Sequence, residues 1–141
     1  LGTQASAWDT RVLATDISQR VLIEAQDPSY QLPADVPPAW RSKYFIKRND
    51  GSDMYTITPE LRKNVIFRTF NLMEPIRFRL KFDVIFCRNV MIYFEQSTKD
   101  ALIQRFYDAT NPGGYLLIGH SENISKESAY HTVRPAIFRK E

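Results

Sequence analysis

The stretch Phe82-Asp83-Val84-Ile85-Phe86-Cys87-Arg88-Asn89-Val90-Met91-Ile92-Tyr93-Phe94 restricts the fold more than any other part of the chain. Val84 to Cys87 is an unbroken apolar run directly after a charged residue. It is short enough for a strand and too apolar for a strand with one wet face, so it reads as a parallel strand buried on both sides. Arg88 and Asn89 then fall at its carboxyl end, and apolar character returns before a helix starts near Ser97. Ligands of open α/β sheets bind outside the carboxyl ends of the strands, which makes the loop of Arg88, Asn89 and Tyr93 the place to expect a site. The same residues also fit a surface charge at Arg88 and a core ring at Tyr93.

Upstream, Arg11 to Asp16 reads as a strand ending in a carboxylate, followed by a helix capped at Ser18 and running to Asp27-Pro28. Leu1 to Trp8 is compatible with the tail of a helix. A carboxylate after a strand can accept from two vicinal hydroxyls of a ribose. Asp16 fits equally well as an acidic residue favoured by the helix dipole. Pro28, Pro33, Pro37, Pro38 and Pro59 exclude a long helix between residues 28 and 60. Tyr44 to Lys47 and Met54 to Thr58 flank Asn49-Asp50-Gly51-Ser52, a hairpin signal. We read a small antiparallel insertion over 30–58, whose edge could take up a peptide as an added strand or serve as a plain structural lid.

Asn64 to Phe70 is a further strand, with Asn71 and Leu72 at its end. Ser97 can cap a helix through Asp108, which Asn111-Pro112-Gly113-Gly114 stops. Tyr115 to Gly119 is the next buried strand and ends at His120-Ser121-Glu122. Tyr130 to Val133 and Ala136 to Arg139 read as two short strands broken at Arg134-Pro135. This succession argues for an α/β sheet.

A chain of 141 residues can bury a real core, and 43% apolar with 25% charged content is ordinary for a globular protein. A net charge of +3 is no nucleic-acid signature, and an acidic protein surface suits it as well. The basic groups Arg62, Lys63, Arg68, Arg77, Arg79 and Lys81 could steer such a partner. The single cysteine, Cys87, excludes an internal disulfide and is consistent with a reducing compartment. No apolar run is long enough to span a membrane, and no signal peptide is visible.

Two histidines and one cysteine lack zinc-site spacing, and there is no P-loop. His120 and Ser121 are neighbours in extended chain, so their side chains diverge and cannot pair as base and nucleophile. What remains is a row of polar residues at successive strand ends: Asp16, Asn71, Arg88 with Asn89, and His120. Such a row suits an adenosine-type ligand along the carboxyl edge of a sheet.

The segments FDVIFCRNVMIYF and NPGGYLLIGHSENI, preceded by VLATDIS and FNL, closely resemble the CheR-type chemotaxis receptor methyltransferases. The resemblance runs from about Arg11 to Lys140. It implies a partial class I S-adenosylmethionine-dependent methyltransferase (Rossmann-like) sheet with the small antiparallel β insertion and a C-terminal β-hairpin. It implies methyl ester formation on glutamate side chains in the cytoplasmic helices of methyl-accepting chemotaxis receptors, with S-adenosylhomocysteine as product, in the cytoplasm. Nucleic acid and membrane insertion have no part in that activity. By the same resemblance Asp16 holds the ribose hydroxyls, and Asn71 and Leu72 lie beside the adenine. Arg88 and Asn89 contact the cofactor near its methionine part, and Tyr93 stands next to the methyl-transfer site, so Tyr93 and Arg88 are the candidate catalytic residues. Some relatives dock a receptor tail peptide on the β insertion.

The family's glycine-rich cofactor loop, of the form G-C-S-x-G-E-E, precedes VLATDIS in such enzymes and is not found in this sequence. The expectation is therefore a partial methyltransferase domain over 1–141, with weak or no cofactor binding alone. A non-catalytic methyltransferase-like signalling module is the alternative, and the retained cofactor-side residues argue against it.

Overall fold

The computed structural model describes residues 7–27 and 29–141, which leaves most of the Leu1–Trp8 reading, and Pro28, outside the described residues. The chain divides into two compact units, 1–71 and 72–141.

In the first unit, β1 (Val12–Asp16) pairs in parallel with β4 (Val65–Thr69), Val12 opposite Val65 and Asp16 opposite Thr69. A parallel pair needs a crossover, and the intervening chain supplies α1 (Gln19–Gln26), α2 (Pro38–Tyr44), β2 (Phe45–Lys47), β3 (Tyr55–Ile57) and α3 (Pro59–Arg62). The N-cap of α1 is Ser18, as expected, its hydroxyl accepting from the Val21 amide at 3.4 Å. Leu22 is the buried residue of that helix. Pro38 begins α2, where a missing N–H costs nothing, and the helices of this stretch stay short as expected, seven residues in α2 and four in α3. The expected hairpin forms: Phe45 lies opposite Ile57, and Gly51 takes a left-handed φ of 79° in the turn. The Asp50 carboxylate ties that turn, accepting from the Ser52 amide at 3.1 Å and Arg48 Nε at 2.7 Å.

The second unit is a mixed sheet with strand order β5 (Phe82–Cys87), β6 (Thr110–Ile118), β8 (Ile137–Arg139), β7 (His131–Arg134). The β5–β6 pair is parallel, and β6–β8 and β8–β7 are antiparallel. Helix α4 (Gln96–Ala109) makes the crossover between β5 and β6. Its Leu102, Ile103 and Phe106 pack with Cys87, Leu116, Ile118 and Phe138 in one buried cluster.

Three sequence expectations need correction. The β5 strand is buried on one face only: Ile85 and Cys87 face the cluster, while Val84 is 46% and Phe86 70% exposed. An apolar run fixes strand character but not how many faces are covered, and β5 is the terminal strand of this ladder with α4 packed on one side. Ser97 is not the cap of α4; Glu95 holds that position, without a side-chain hydrogen bond. The strand expected from Tyr115 begins at Thr110, directly after α4 ends at Ala109, so the stretch Asn111 to Gly114 that stops the helix is already part of the sheet. It lies within β6, where the β5 register shifts between Phe82 and Val84. Gly114 is obligatory in that irregularity, since a Cβ there would stand 2.6 Å from Thr110 Cγ2 and 2.9 Å from the Asp83 carbonyl oxygen.

No helix among the described residues is long and apolar enough to cross a membrane. Among the same residues no group of three His, Cys, Asp or Glu is placed to hold a metal ion.

Candidate active site

The candidate residues fall into two groups, one in each unit. In the first, Asp16 ends β1 and Asn71 follows β4. Asp16 and Thr69 are direct register partners, so both candidates stand at the carboxyl end of one parallel ladder. The chain is pinned there by the Phe70 amide donating to the Asp16 carbonyl at 3.0 Å. The Asp16 side chain folds into an Asx turn, with Oδ1 accepting from the Ser18 amide at 2.8 Å. Among the described residues no hydrogen bond engages its second carboxylate oxygen.

The second group starts at Leu72, which packs against the buried cluster while its carbonyl accepts from Arg105 Nη2 at 2.7 Å. Arg88 and Asn89 follow β5 and are exposed. Asn89 adopts φ of 60°, a left-handed conformation that asparagine tolerates better than most residues. That reversal turns the chain into a single 3₁₀ turn, Met91–Tyr93. Met91 plugs into the core at 1% exposure, and Tyr93 is left 82% exposed. Tyr93 is therefore not a core ring.

One residue of this site was not singled out from sequence. The Glu122 carboxylate gathers the loops that leave β5 and β6: Oε2 accepts from the Asn89 amide at 3.0 Å and the Gly119 amide at 2.6 Å, and Oε1 from the Met91 amide at 2.7 Å. Burial opposes its charge, but the amides of Gly119, Asn89, Met91 and Val90 outweigh that and hold its pKa below the usual glutamate value. Gly119 lets the loops close up, since a Cβ there would meet Asn89 Oδ1 at 2.5 Å and Glu122 Oε2 at 2.8 Å. A signal did exist: a carboxylate reaching back to the N–H three residues earlier has capping-box geometry, and Gly119 and Glu122 have that spacing. Burial, reinforced by the Glu122 charge, pushes the neighbouring Cys87 thiol up to about 11, so it is no nucleophile at neutral pH. His120 is exposed beside these loops.

Arg88, Asn89 and His120 thus share the carboxyl end of the β5–β6 ladder, as Asp16 and Asn71 share that of β1–β4. These are the strand ends at which α/β proteins hold ligands.

Comparison with known proteins gives these residues a context. The family described as CheR methyltransferase, SAM binding domain, matches residues 1–137. A chemotaxis protein methyltransferase of Borreliella burgdorferi is 41% identical over 138 residues, which cover 94% of this chain and 47% of that protein. A probable chemotaxis protein methyltransferase of Rhizobium etli is 37% identical over 126 residues, 87% of this chain and 47% of the relative. The chemotaxis protein methyltransferase of Escherichia coli is 35% identical over 138 residues, 95% of this chain and 48% of the relative. The chain spans about half the length of the curated relatives it matches. With the match running through both groups of candidate residues, the chain belongs to the CheR methyltransferase family, in its SAM-binding domain.

Proposed function

We propose that this chain is part of an S-adenosylmethionine-dependent methyltransferase that forms methyl esters on glutamate side chains of chemotaxis receptors. The observation that carries the reading is the loop after β5. A left-handed Asn89 and a buried Met91 leave the Tyr93 side chain open to a reaction partner. The full arrangement we assign is a class I, Rossmann-like methyltransferase sheet, with 30–58 as an inserted β-subdomain.

The residues present fit an adenosyl sulfonium ligand. Asp16 is held by its own turn through Oδ1, and its second oxygen, unengaged among the described residues, is the one we assign to ribose hydroxyls. In our reading Asn71 and Leu72 flank the adenine, and Arg88 and Asn89 meet the methionine end. When bound, S-adenosylmethionine supplies a methyl group already activated on sulfur. The loop needs no general base, because a glutamate carboxylate of ordinary pKa, about 4.3, is ionised at neutral pH. Its task is alignment and exclusion of water. Tyr93 orients the receptor carboxylate or the cofactor through its hydroxyl. The basic side chains Arg77, Arg79 and Lys81 steer an acidic receptor helix, so association slows as salt is raised. The two-stranded β2–β3 ladder, with Ile46 exposed on β2, supports docking of a receptor tail by strand addition. We place the activity in the cytoplasm, where the receptor helices lie.

The test is methyl transfer by the complete protein from methyl-labelled S-adenosylmethionine to a receptor cytoplasmic fragment. Base-labile label on glutamate is expected. Receptor binding without any transfer would return the non-catalytic reading. In the active protein Tyr93→Phe should lower turnover more than cofactor affinity, and equal effects on both would reject the role assigned to Tyr93.

A further inference from the structure

Glu122 sits where two loops of the candidate site meet, and among the described residues its hydrogen bonds come from the backbone rather than from side chains. Its partners are backbone amides: Asn89 and Met91 from the loop after β5, and Gly119 from the loop after β6. The two strands are parallel neighbours with Cys87 opposite Ile118, so the loops begin side by side. We propose that Glu122 is a positioning residue for the transfer step, fixing the loop of Arg88, Asn89 and Tyr93 by binding its backbone without touching substrate or cofactor. This rests on the methyltransferase reading above.

Three observations support it. A left-handed non-glycine residue persists only where its surroundings over-determine it, and Asn89 is such a residue. Its amide donates to Glu122, and the next anchor, Met91, is held twice: its side chain in the core and its amide on the other carboxylate oxygen. Tyr93 follows two residues later in the same 3₁₀ turn, so freedom in the Asn89 backbone is freedom in the Tyr93 ring. Secondly, both carboxylate oxygens are used, and only an ionised carboxylate offers acceptors on both arms. A glutamine would turn an N–H₂ group toward one of the amides. Hydrogen bonds to a carboxylate are also roughly twice as strong as neutral ones. Thirdly, the close approach is built in from the other side, because Gly119 has no Cβ to strike Asn89 Oδ1. The depressed pKa of Glu122 agrees with a group kept charged by these donors.

The test uses the complete protein with Glu122→Gln and Glu122→Asp, alone and combined with Tyr93→Phe. Backbone amide exchange reads the clamp without reference to activity. In Glu122→Gln the amides of Asn89, Met91 and Gly119 should exchange at least about tenfold faster, with the core of α4 unchanged. Turnover should fall at least about tenfold with the KM for receptor within about twofold. The loss from Tyr93→Phe should shrink in the Glu122→Gln background, because the ring is no longer held where its hydroxyl matters. Glu122→Asp keeps two acceptor oxygens and should retain more turnover than Glu122→Gln. It carries the same measurements if the glutamine variant does not fold. Protected loop amides with turnover within twofold of the parent would overturn the proposal. So would a Tyr93→Phe loss of equal size in both backgrounds. A parent protein that transfers no methyl group overturns the methyltransferase reading instead, and amide exchange then still decides whether Glu122 holds the loop.

Discussion

Gly119 and Glu122 form a pair in which one residue makes room for the other, and that pairing sets the residue-scale expectations. Gly119→Ala would place a methyl group 2.5 Å from Asn89 Oδ1 and 2.8 Å from Glu122 Oε2. Relief requires the loop after β5 to move, and overpacking of this kind costs about 1–3 kcal/mol. Urea denaturation should show that loss, together with faster amide exchange at Asn89. The Glu122 titration has a definite sign. Its folded pKa is depressed, so its contribution is present above its ordinary value of 4.5 and is lost as pH falls through the lower folded value. The urea midpoint should therefore fall on acidification below about pH 5. The Glu122→Gln variant should show a shallower fall, and equal slopes would remove Glu122 from the acid response. Sequence reading proposed Asp16, Arg88, Asn89 and Tyr93 as candidates because polar side chains after apolar strands stand out. It passed over Glu122 because the partners that give it meaning are backbone amides 33 and 31 residues away, which no side-chain pattern marks.

At the scale of elements, the junction between α4 and β6 shows how a helix can pass into a strand with no loop between them. Thr110 is fully buried and its hydroxyl donates to the Phe106 carbonyl at 2.6 Å. A hydroxyl has one proton, so the 2.7 Å contact with Tyr130 must have Tyr130 as donor. Burial pushes the Tyr130 phenol up to about 12, which keeps that proton in place. Lys140 Nζ closes the same helix end by donating to the carbonyls of Tyr107 and Thr110 at 2.7 and 3.0 Å. Removing Tyr130's hydroxyl with Tyr130→Phe leaves Thr110 bonded to Phe106 and should cost about 1 kcal/mol. Thr110→Val strands a buried phenol and frees a carbonyl, and should cost about 1–3 kcal/mol. Denaturant unfolding checks the order, and a larger loss for Tyr130→Phe would contradict the donor assignment. The elements themselves were largely readable, since the Ser18 cap, the Asp50-Gly51 turn and the apolar periods of α4 are local signals. Burial of Val84 and Phe86 was not, because coverage of a strand face is decided by distant chain. The place of Asn111 to Gly114 inside β6 likewise depends on pairing with Asp83 and its neighbours, including the 2.9 Å bond from Asn111 Nδ2 to Asp83 Oδ1.

At the scale of the whole molecule, the residues assigned to the cofactor belong to two separate ladders. Asp16 and Asn71 stand at the end of β1–β4, and Arg88 and Asn89 at the end of the four-stranded sheet. Binding one ligand through both groups requires them to be held at a fixed separation, and any ordering left for the moment of binding subtracts from affinity. The curated relatives are about twice as long as this chain, so a protein of that length has further chain with which to fix that separation. The isolated 141-residue chain should accordingly bind S-adenosylhomocysteine far more weakly than the complete protein does. Calorimetric titration of both is the measurement. No detectable heat is expected from the chain at micromolar concentrations that saturate the complete protein. Micromolar affinity in the isolated chain would mean that recognition of the ligand needs no chain beyond these 141 residues.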